Sequence, residues 1–355
     1  MQNDQTVNPS ISQTPITFTG NASDYFGIWI VNLLLSIVTL GIYSAWAKVR
    51  RKKYFYQNTL IDGVGFDYHA SPMAILKGRV IAFVLFVIYN LLAEANPILG
   101  GVFFLLLLLV VPSLVVRGLT FNARNTSHRG LRFDFKSRYG EVAKIFVLYP
   151  ILVLFSLGLA YPWWVQRINR VLINGHRFGL SAFDCAATVG DFYRIFLKLL
   201  GIMITLSVIA ALLVGGAIKP MLAMQQGSNS EHTMPSIIIG AGIMYLFVLA
   251  GIGAYVKTRI SNLVWNHTQL EQVQFVSTQR MRDVMWLYAT NIVALVFTLG
   301  LATPWAQIRL MRYRLQHLHL QGQTDWDSFV GEKKEQVRAT GAEIADMFDV
   351  DISFA

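Results

Sequence analysis

The sequence predicts an all-α integral membrane protein with a threefold internal repeat of kinked helical segments, four to seven transmembrane helices and small surface strand or turn elements. Composition is the first reason, because 54% of the 355 residues are hydrophobic and 14% are charged, whereas soluble domains carry about 25% charged residues. The second reason is that the apolar residues gather into runs near the length of about 20 residues that a helix needs to cross a bilayer. The third is a motif that occurs three times, each time where an apolar run ends.

Seven apolar segments are candidates for the membrane-embedded helices. No signal peptide precedes the first of them, because residues 1–20 are polar and contain no basic start before an apolar stretch. We therefore expect the first segment to stay in the mature protein. The segments cover roughly residues 25–47, 77–93, 98–116, 142–165, 194–217, 236–256 and 284–306.

The repeated motif joins a Leu-Gly step to a tryptophan and an arginine. It reads TLGIYSAWAKVR from Thr39, SLGLAYPWWVQR from Ser156 and TLGLATPWAQIR from Thr298. Shared residues at fixed spacing indicate an internal triplication. The matched positions, which we interpret as a kink followed by an interfacial anchor, are Gly41, Gly158 and Gly300, Pro162 and Pro304, Trp46, Trp163 and Trp305, and Arg50, Arg167 and Arg309.

The repeats define a simple domain organisation. A polar N-terminal segment covers residues 1–20, a membrane domain covers residues 21–320 and a polar cytoplasmic tail covers residues 321–355. We expect glycine and proline to interrupt each repeated segment, tryptophan to lie at headgroup depth and arginine to reach the lipid phosphates. Within the membrane domain, the repeats occupy about residues 25–68, 142–185 and 284–327.

A second element recurs after the basic residues. Four stretches, NTLIDGVGF, NTSHRGLRF, GHRFGLSAF and TQLEQVQF, end at Phe66, Phe133, Phe183 and Phe275. They are too polar to cross a membrane, and their turn-forming residues and partial alternation predict short strands or turns at the membrane surface. The single cysteine, Cys185, excludes an intramolecular disulfide.

The number of crossings stays open between two models. Seven ordinary crossings would place basic loops on both sides of the membrane. If the three repeated segments instead enter and return to the same face, four segments cross and all five basic regions lie on one side. The charge-poor loops around Glu94 and residues 221–235 then lie on the other side, as the positive-inside rule favours. We assign the net charge of +10 to this membrane role and not to nucleic acid.

Four polar residues inside the apolar segments are candidates for a functional pathway. Lys198 lies just inside its segment, and its ammonium either snorkels to the basic face or contacts an ion or substrate. Asn32 and Asn291 match in the first and third repeats, and Tyr149 holds that position in the second. Such amides either pack helices together or line a pathway. Because the sequence contains no metal-binding, nucleotide-binding or catalytic motif, we predict a non-enzyme with no catalytic residue, cofactor or metal site.

Clusters of aromatic and basic residues suggest a lipid partner. RRKKYFY from Arg50 and PWWVQRINR from Pro162 suit anionic lipid headgroups, and they equally suit ordinary interfacial anchoring. The expected partner is the lipid bilayer, anionic phospholipids included, whereas the sequence specifies no protein partner.

The opening YFGIWIVNLLLSIVTLGIYSAWAKVRRKKYFYQNTLIDGVGFDYHASP and the closing GAEIADMFDVDISF resemble the YjgN family, bacterial inner-membrane proteins of unknown function. The likeness covers essentially the whole chain, although Ala70 stands where a glycine is frequent in that family. The resemblance implies a multi-pass protein of the bacterial inner membrane and implies no activity.

Two function hypotheses remain. The first is a transporter- or channel-like protein, because internal repeats and broken membrane segments are typical of transporters. The alternative is a non-catalytic membrane organiser that binds anionic lipid or partner proteins through its basic cytoplasmic face. A polar cavity lined by Asn32, Asn291 or Lys198 favours the first hypothesis, and a dry interior with a basic, aromatic surface favours the second.

Overall fold

The structure is a computed structural model that describes residues 13–225, 233–322 and 325–339. Parts of three predicted features lie outside these residues, namely the start of the polar N-terminal segment, the middle of the second charge-poor loop and the end of the polar tail. The chain divides into two compact units. The first contains residues 1–187, 264–277 and 303–355, and the second contains residues 188–263 and 278–302.

The first unit contains a closed barrel of ten antiparallel strands, so the prediction of an all-α fold is wrong. Each strand pairs with the strand before it and the strand after it, and the first strand pairs with the last. The ring therefore has no free sheet edge. The strands are β1 Gln13–Phe18, β2 Thr59–Ile61, β3 Val64–Tyr68, β4 Thr126–His128, β5 Leu131–Phe135, β6 His176–Phe178, β7 Ser181–Cys185, β8 Thr268–Leu270, β9 Val273–Ser277 and β10 Leu318–Gln321.

Tight hairpins build most of this barrel. The four stretches that end at phenylalanine are the hairpins β2–β3, β4–β5, β6–β7 and β8–β9. Asp62 and Gly63, between β2 and β3, have positive φ angles of 50° and 73°, which suit the primed turns that match the twist of a hairpin. Arg129 and Gly130 adopt similar angles between β4 and β5. The remaining pairings, such as β3 with β4, join strands that are separated in sequence by helices.

Pairs of helices connect the hairpins. The pattern of strand, helix pair and strand occurs five times in the part of the chain that the structure describes, so the predicted threefold repeat covers the first, third and fifth pairs and misses the other two. In the third pair, a π-helical segment, Lys144–Leu148, joins two consecutive helices without a break, so these two helices form one member of that pair. The helices are α1 Ala22–Val38 and α2 Ser44–Gln57; α3 Pro72–Ala95 and α4 Pro97–Arg124; α5 Tyr139–Ala143, α6 Tyr149–Phe155 and α7 Tyr161–Gly175; α8 Val189–Gln225 and α9 Thr233–Asn266; and α10 Met281–Phe297 and α11 Thr303–Gln316.

The helix pairs fall into two classes by length. Within the described residues, three helical stretches are long and apolar enough to cross a membrane, namely α3, α4 and residues 189–209 of α8, with mean hydropathies of 2.0, 2.8 and 1.8. They belong to the second and fourth pairs, which we call the long pairs. In the other three, the short pairs, α1 and α10 have 17 residues each, and α2 and α11 have 14.

Apolar side chains fill the barrel. Phe133 lies 4.9 Å from Phe178 and 6.1 Å from Phe66, measured between ring centroids. The last described helix, α12 Trp326–Ala339, adds Trp326 and Phe329 to the same apolar cluster. Burying a large apolar side chain stabilises a fold by about 1.5–3 kcal/mol, so this helix is a structural part of the barrel.

Ion pairs tie α12 to the hairpin turns. Arg129, in the β4–β5 turn, pairs with Asp327 and with Asp62 of the β2–β3 turn. Lys333 pairs with Glu271, in the β8–β9 turn. Because hairpin turns lie at one rim of the barrel, α12 lies against that rim, and the helix pairs start and end at the opposite rim.

Candidate functional site

The Leu-Gly steps of the repeated motif form the turns that join the two helices of each short pair. At these positions the backbone adopts positive φ angles, which glycine tolerates because it has no Cβ. The predicted kink is therefore a tight turn of the backbone between two helices, and we call residues 39–42, 156–159 and 298–301 the tip turns. The φ angles are 50° and 90° for Leu40 and Gly41, 52° and 86° for Leu157 and Gly158, and 50° and 88° for Leu299 and Gly300.

A hydroxyl side chain closes each tip turn. In the first copy, Thr39 Oγ1 donates to the carbonyl of Leu35 at 2.7 Å and accepts from the N–H of Tyr43 at 2.9 Å. The N–H of Gly41 donates to the carbonyl of Ser36 at 2.7 Å. The other copies repeat the hydroxyl bonds, with Ser156 donating to Val153 and accepting from Ala160, and Thr298 donating to Ala294 and accepting from Ala302.

The two prolines of the motif lie after the break and not within it. Pro162 and Pro304 are in the first turn of α7 and α11, where a missing N–H costs no helical hydrogen bond. The predicted kink residues thus divide into a glycine that turns the chain and a proline that starts the returning helix.

The predicted anchors contact one another directly in the second and third copies and through a tyrosine in the first. The guanidinium of Arg167 lies 5.9 Å from the ring centre of Trp163, and Arg309 lies 5.0 Å from that of Trp305. In the first copy an extra tyrosine intervenes, since Tyr43 stacks on Trp46 at 6.1 Å and accepts a hydrogen bond from Arg50. Such cation–aromatic pairs suit the headgroup region of a bilayer.

The structure places the candidate pathway residues in different surroundings. Asn32 and Asn291 are both buried, each about 7% exposed, and neither lines the two cavities described below. Lys198 lies on a groove of about 560 Å³ beside Tyr255 and Arg259. Tyr149 packs 4.3 Å from Trp163 and lines a different cavity.

That cavity, which we call the basic cavity, belongs to the third helix pair and has a volume of about 840 Å³. It forms where the chain leaving β5 meets the π-helical segment, α7 and β6. The Trp164 indole N–H donates to the carbonyl of Ile145 at 2.8 Å and so holds the π-helical segment against α7. Glu141 is the single acidic residue among the lining residues, whereas the basic ones are Lys136, Arg138, Lys144, Arg167, Arg170 and Arg177.

The cations of the basic cavity are largely uncompensated. Lys136 pairs with Asp134 at 3.7 Å, but the other five form no ion pair with any residue in the described part of the chain. Buried Nε atoms of Arg167 and Arg177, and the buried Oγ of Ser137, have no hydrogen-bond partner there. Buried polar atoms of proteins are normally bonded, so these three atoms suit an anionic ligand.

Sequence reasoning singled out Arg167 and Tyr149, and Arg170 within the cluster PWWVQRINR, but missed the cavity itself. The available signal was the density of arginine and lysine between residues 136 and 177. These cations come from a loop, a helix and a strand, and only the folded chain brings them together.

Two titratable groups lie on the barrel. Burial lowers the pKa of His128 to about 4, and the charge of neighbouring Arg129 adds to this effect. Burial acts to raise the pKa of Glu271, but hydrogen bonds from Lys333 and Ser181 outweigh it and lower the pKa below its usual value. Among the described residues, no group of three or more His, Cys, Asp or Glu side chains is placed to hold a metal ion.

Comparison with known proteins confirms the expected family. "Inner membrane protein YjgN" of Salmonella typhimurium (strain LT2) is 24% identical, with 90% of this chain and 91% of the relative covered. The proteins of the same name from Escherichia coli O157:H7 and K12 are 24% and 25% identical over the same shares. No solved structure matches the chain. The family model described as "Bacterial protein of unknown function (DUF898)" matches residues 13–347, and the chain, a membrane protein, therefore belongs to that family.

Proposed function

We propose that this protein is a multi-pass, non-catalytic protein of the bacterial inner membrane that binds an anionic lipid headgroup in the basic cavity. The observation that carries the proposal is the set of five uncompensated cations around about 840 Å³, with one acidic residue among the lining residues. The cavity is large enough for a phospholipid headgroup, and phosphate oxygens would accept hydrogen bonds from the orphaned Nε atoms of Arg167 and Arg177.

The position of the cavity supports a lipid over a soluble anion. Lys136 and Arg177 belong to the barrel end of the third pair, whereas the same pair ends in an apolar tip turn. Between these two ends lie Trp163 and Tyr149, which are residue types enriched at the level of lipid headgroups. A ligand in the cavity would therefore lie at the boundary between the bilayer and water.

The connectivity supports a cytoplasmic barrel. Each long pair leaves the barrel after one strand and returns to the next strand, so its two helices would cross the membrane and come back. Basic residues lie beside these junctions, including Arg117 and Arg124 before β4, and Lys257 and Arg259 before β8. The positive-inside rule assigns such residues to the cytosol.

Transport is the second candidate, supported by the groove beside Lys198. Transport through the repeats would need a polar path at Asn32 or Asn291, but neither residue lines the basic cavity or the groove. The barrel does not favour such a path, because its core is an apolar cluster to which α12 contributes Trp326 and Phe329. Lipid binding is therefore the better supported function.

Lipid retention tests the proposal. The purified protein is incubated with phosphatidylglycerol or phosphatidylcholine in detergent micelles, and bound lipid is counted by native mass spectrometry. We expect the combined variant Arg167→Gln, Arg170→Gln and Arg177→Gln to bind phosphatidylglycerol about 100-fold more weakly, because each basic residue contributes about 1 kcal/mol toward an anionic headgroup.

A matched control removes the same charge elsewhere. Lys257→Gln, Arg194→Gln and Arg282→Gln change three exposed basic residues that do not line the cavity. This control should keep its affinity. Equal loss in both variants, or no preference for phosphatidylglycerol over phosphatidylcholine, would refute binding in the basic cavity. Loss of binding on Lys198→Gln alone would move the site to the groove.

A further inference from the structure

The tip turns carry large apolar side chains that are not covered by the rest of the protein. Leu40, Leu157 and Leu299 are each 94% exposed. Large apolar neighbours extend each patch: Val38 and Ile42 in the first copy, Phe155 and Leu159 in the second, and Phe297 and Leu301 in the third. A contiguous exposed apolar patch marks a surface that contacts a partner or a membrane, and here the same patch occurs at the end of all three short pairs.

The backbone of each tip turn is also hydrogen-bonded within itself. The N–H groups of Leu40, Gly41 and Ile42 donate to carbonyls of the same turn or of α1, at 3.1, 2.7 and 3.1 Å. The corresponding groups of the other two copies do the same at 2.8–3.2 Å. The hydroxyl of Thr39, Ser156 or Thr298 then bonds the N–H that starts the returning chain. Hydrocarbon offers no hydrogen bonds, so a turn can enter it only when its own groups are satisfied.

Charge limits how deep the tip turns can go. At 1.5 Å per helical residue, the first basic residue after Gly41, Lys48, lies about 10 Å along the chain from the turn. In the other two copies the corresponding basic residue lies about 14 Å from the glycine, namely Arg167 after Gly158 and Arg309 after Gly300. The hydrocarbon core is about 30 Å thick. With these cations held at the cytoplasmic headgroups, the turns reach about the middle of the bilayer and stop there.

From these three observations we propose that the short pairs are re-entrant hairpins, whose tip turns lie in the hydrocarbon of the cytoplasmic leaflet and do not cross the membrane. The partner of this surface is the acyl-chain region of that leaflet. The tip turns displace lipid from one leaflet, while only the long pairs pass through both. The inference concerns membrane depth and stands independently of any lipid in the basic cavity.

Depth measurements test the inference. Single cysteines are placed at Leu40→Cys, Leu157→Cys and Leu299→Cys in a Cys185→Ala background, labelled with a bimane fluorophore and reconstituted into vesicles with lipids brominated at defined acyl positions. We expect the strongest quenching with bromines near the ends of the acyl chains. In intact cells, a membrane-impermeant maleimide should label none of the three positions.

Two control positions report the aqueous sides. Glu335→Cys, on the exposed face of α12, should react with the maleimide only after the cytosol is opened, and Glu94→Cys, at the end of α3, should react in intact cells. Labelling of any tip cysteine from outside would show a full crossing and overturn the inference. Labelling from the cytosol, with quenching strongest near the headgroups, would show a surface-lying turn and would equally overturn it. Quenching depth is read on folded, reconstituted protein, so a variant that fails to insert is replaced by a cysteine at the adjacent Ile42, Leu159 or Leu301.

Discussion

Nζ of Lys333 in α12 lies 2.8 Å from Oε1 of Glu271 in the β8–β9 turn, and the lysine side chain is only 5% exposed. Removing the carboxylate leaves a buried ammonium without its principal partner, which is the costly way to break an ion pair. Because Glu271 is itself 42% exposed, solvent screens part of the effect. We expect Glu271→Gln to destabilise the docked α12 by about 1–2 kcal/mol, measured by hydrogen exchange of the helix amides.

The double variant Glu271→Gln with Lys333→Met provides the control. It removes both charges and keeps the apolar stem of the lysine, so α12 should regain most of its protection from exchange. Unchanged exchange in the single variant would show that the helix is held without this ion pair, by Trp326, Phe329 and the Arg129–Asp327 pair.

The buried imidazole of His128 predicts a loss of stability in mild acid. Its folded pKa of about 4 lies below the usual value of 6.5, so only the unfolded chain takes up the proton between these values. Stability is then complete above pH 6.5 and falls as the pH drops toward 4, by up to about 3 kcal/mol. Urea titrations in micelles at pH 7.5 and pH 5 should differ by about 2 kcal/mol, the part of this loss that falls above pH 5, and His128→Leu should reduce the difference. A variant with the full wild-type difference would exclude His128 as its source.

The glycine of a tip turn should resist replacement for a purely conformational reason. An added Cβ at Gly41 meets nothing within 4 Å, yet φ is +90°. We expect Gly41→Ala to destabilise the first helix pair by about 1–2 kcal/mol. Gly27, inside α1, is equally uncrowded and helical, so Gly27→Ala should instead stabilise the pair by about 0.5–1 kcal/mol. Thermal unfolding in micelles measures both, and shifts of the same sign would contradict the described turn.

The hydroxyl of each tip turn should matter through its hydrogen bonds and not through its size. Thr298→Val keeps the shape of the side chain but leaves the N–H of Ala302 without this acceptor, at a cost of about 1–3 kcal/mol. Thr298→Ser restores the acceptor and should recover most of the lost stability. Thermal unfolding of the wild-type protein and the two variants measures these differences in stability. A serine variant as unstable as the valine variant would assign the effect to packing and not to the hydrogen bond.

The repeated helical segments of the short pairs could be predicted from the sequence, but the closed barrel could not. Gly41, Trp46 and Arg50 recur at fixed spacing because each copy needs the same turn and the same anchor. The four stretches that end at phenylalanine indicated short strands or turns but not how the strands pair, since β2 is three residues long and Phe66 pairs with His128 across two intervening apolar helices. Alternation over so few residues cannot be separated from a polar loop.

The candidate site divides in the same way. Arg167 stood out in the sequence because it belongs to the repeated motif. Arg177 and Lys136, by contrast, belong to a strand and a connecting loop. Their contribution depends on barrel register, which sets the backbone of Arg177 opposite that of Asp134 across β5 and β6. Such register is a tertiary property, and no local pattern in one sequence reports it.

Because β1 pairs with β10 along Gln13–Gln321, Thr14–Leu320 and Pro15–His319, the ring is completed by the first and the last of its ten strands in chain order. A ribosome delivers the chain from its N-terminus, so one side of β1 has no neighbour until β10 has been synthesised. All five described helix pairs must therefore be synthesised before the barrel can close. Any product that stops before Leu318 retains an open β-edge, which makes it a substrate for aggregation and for quality-control proteases.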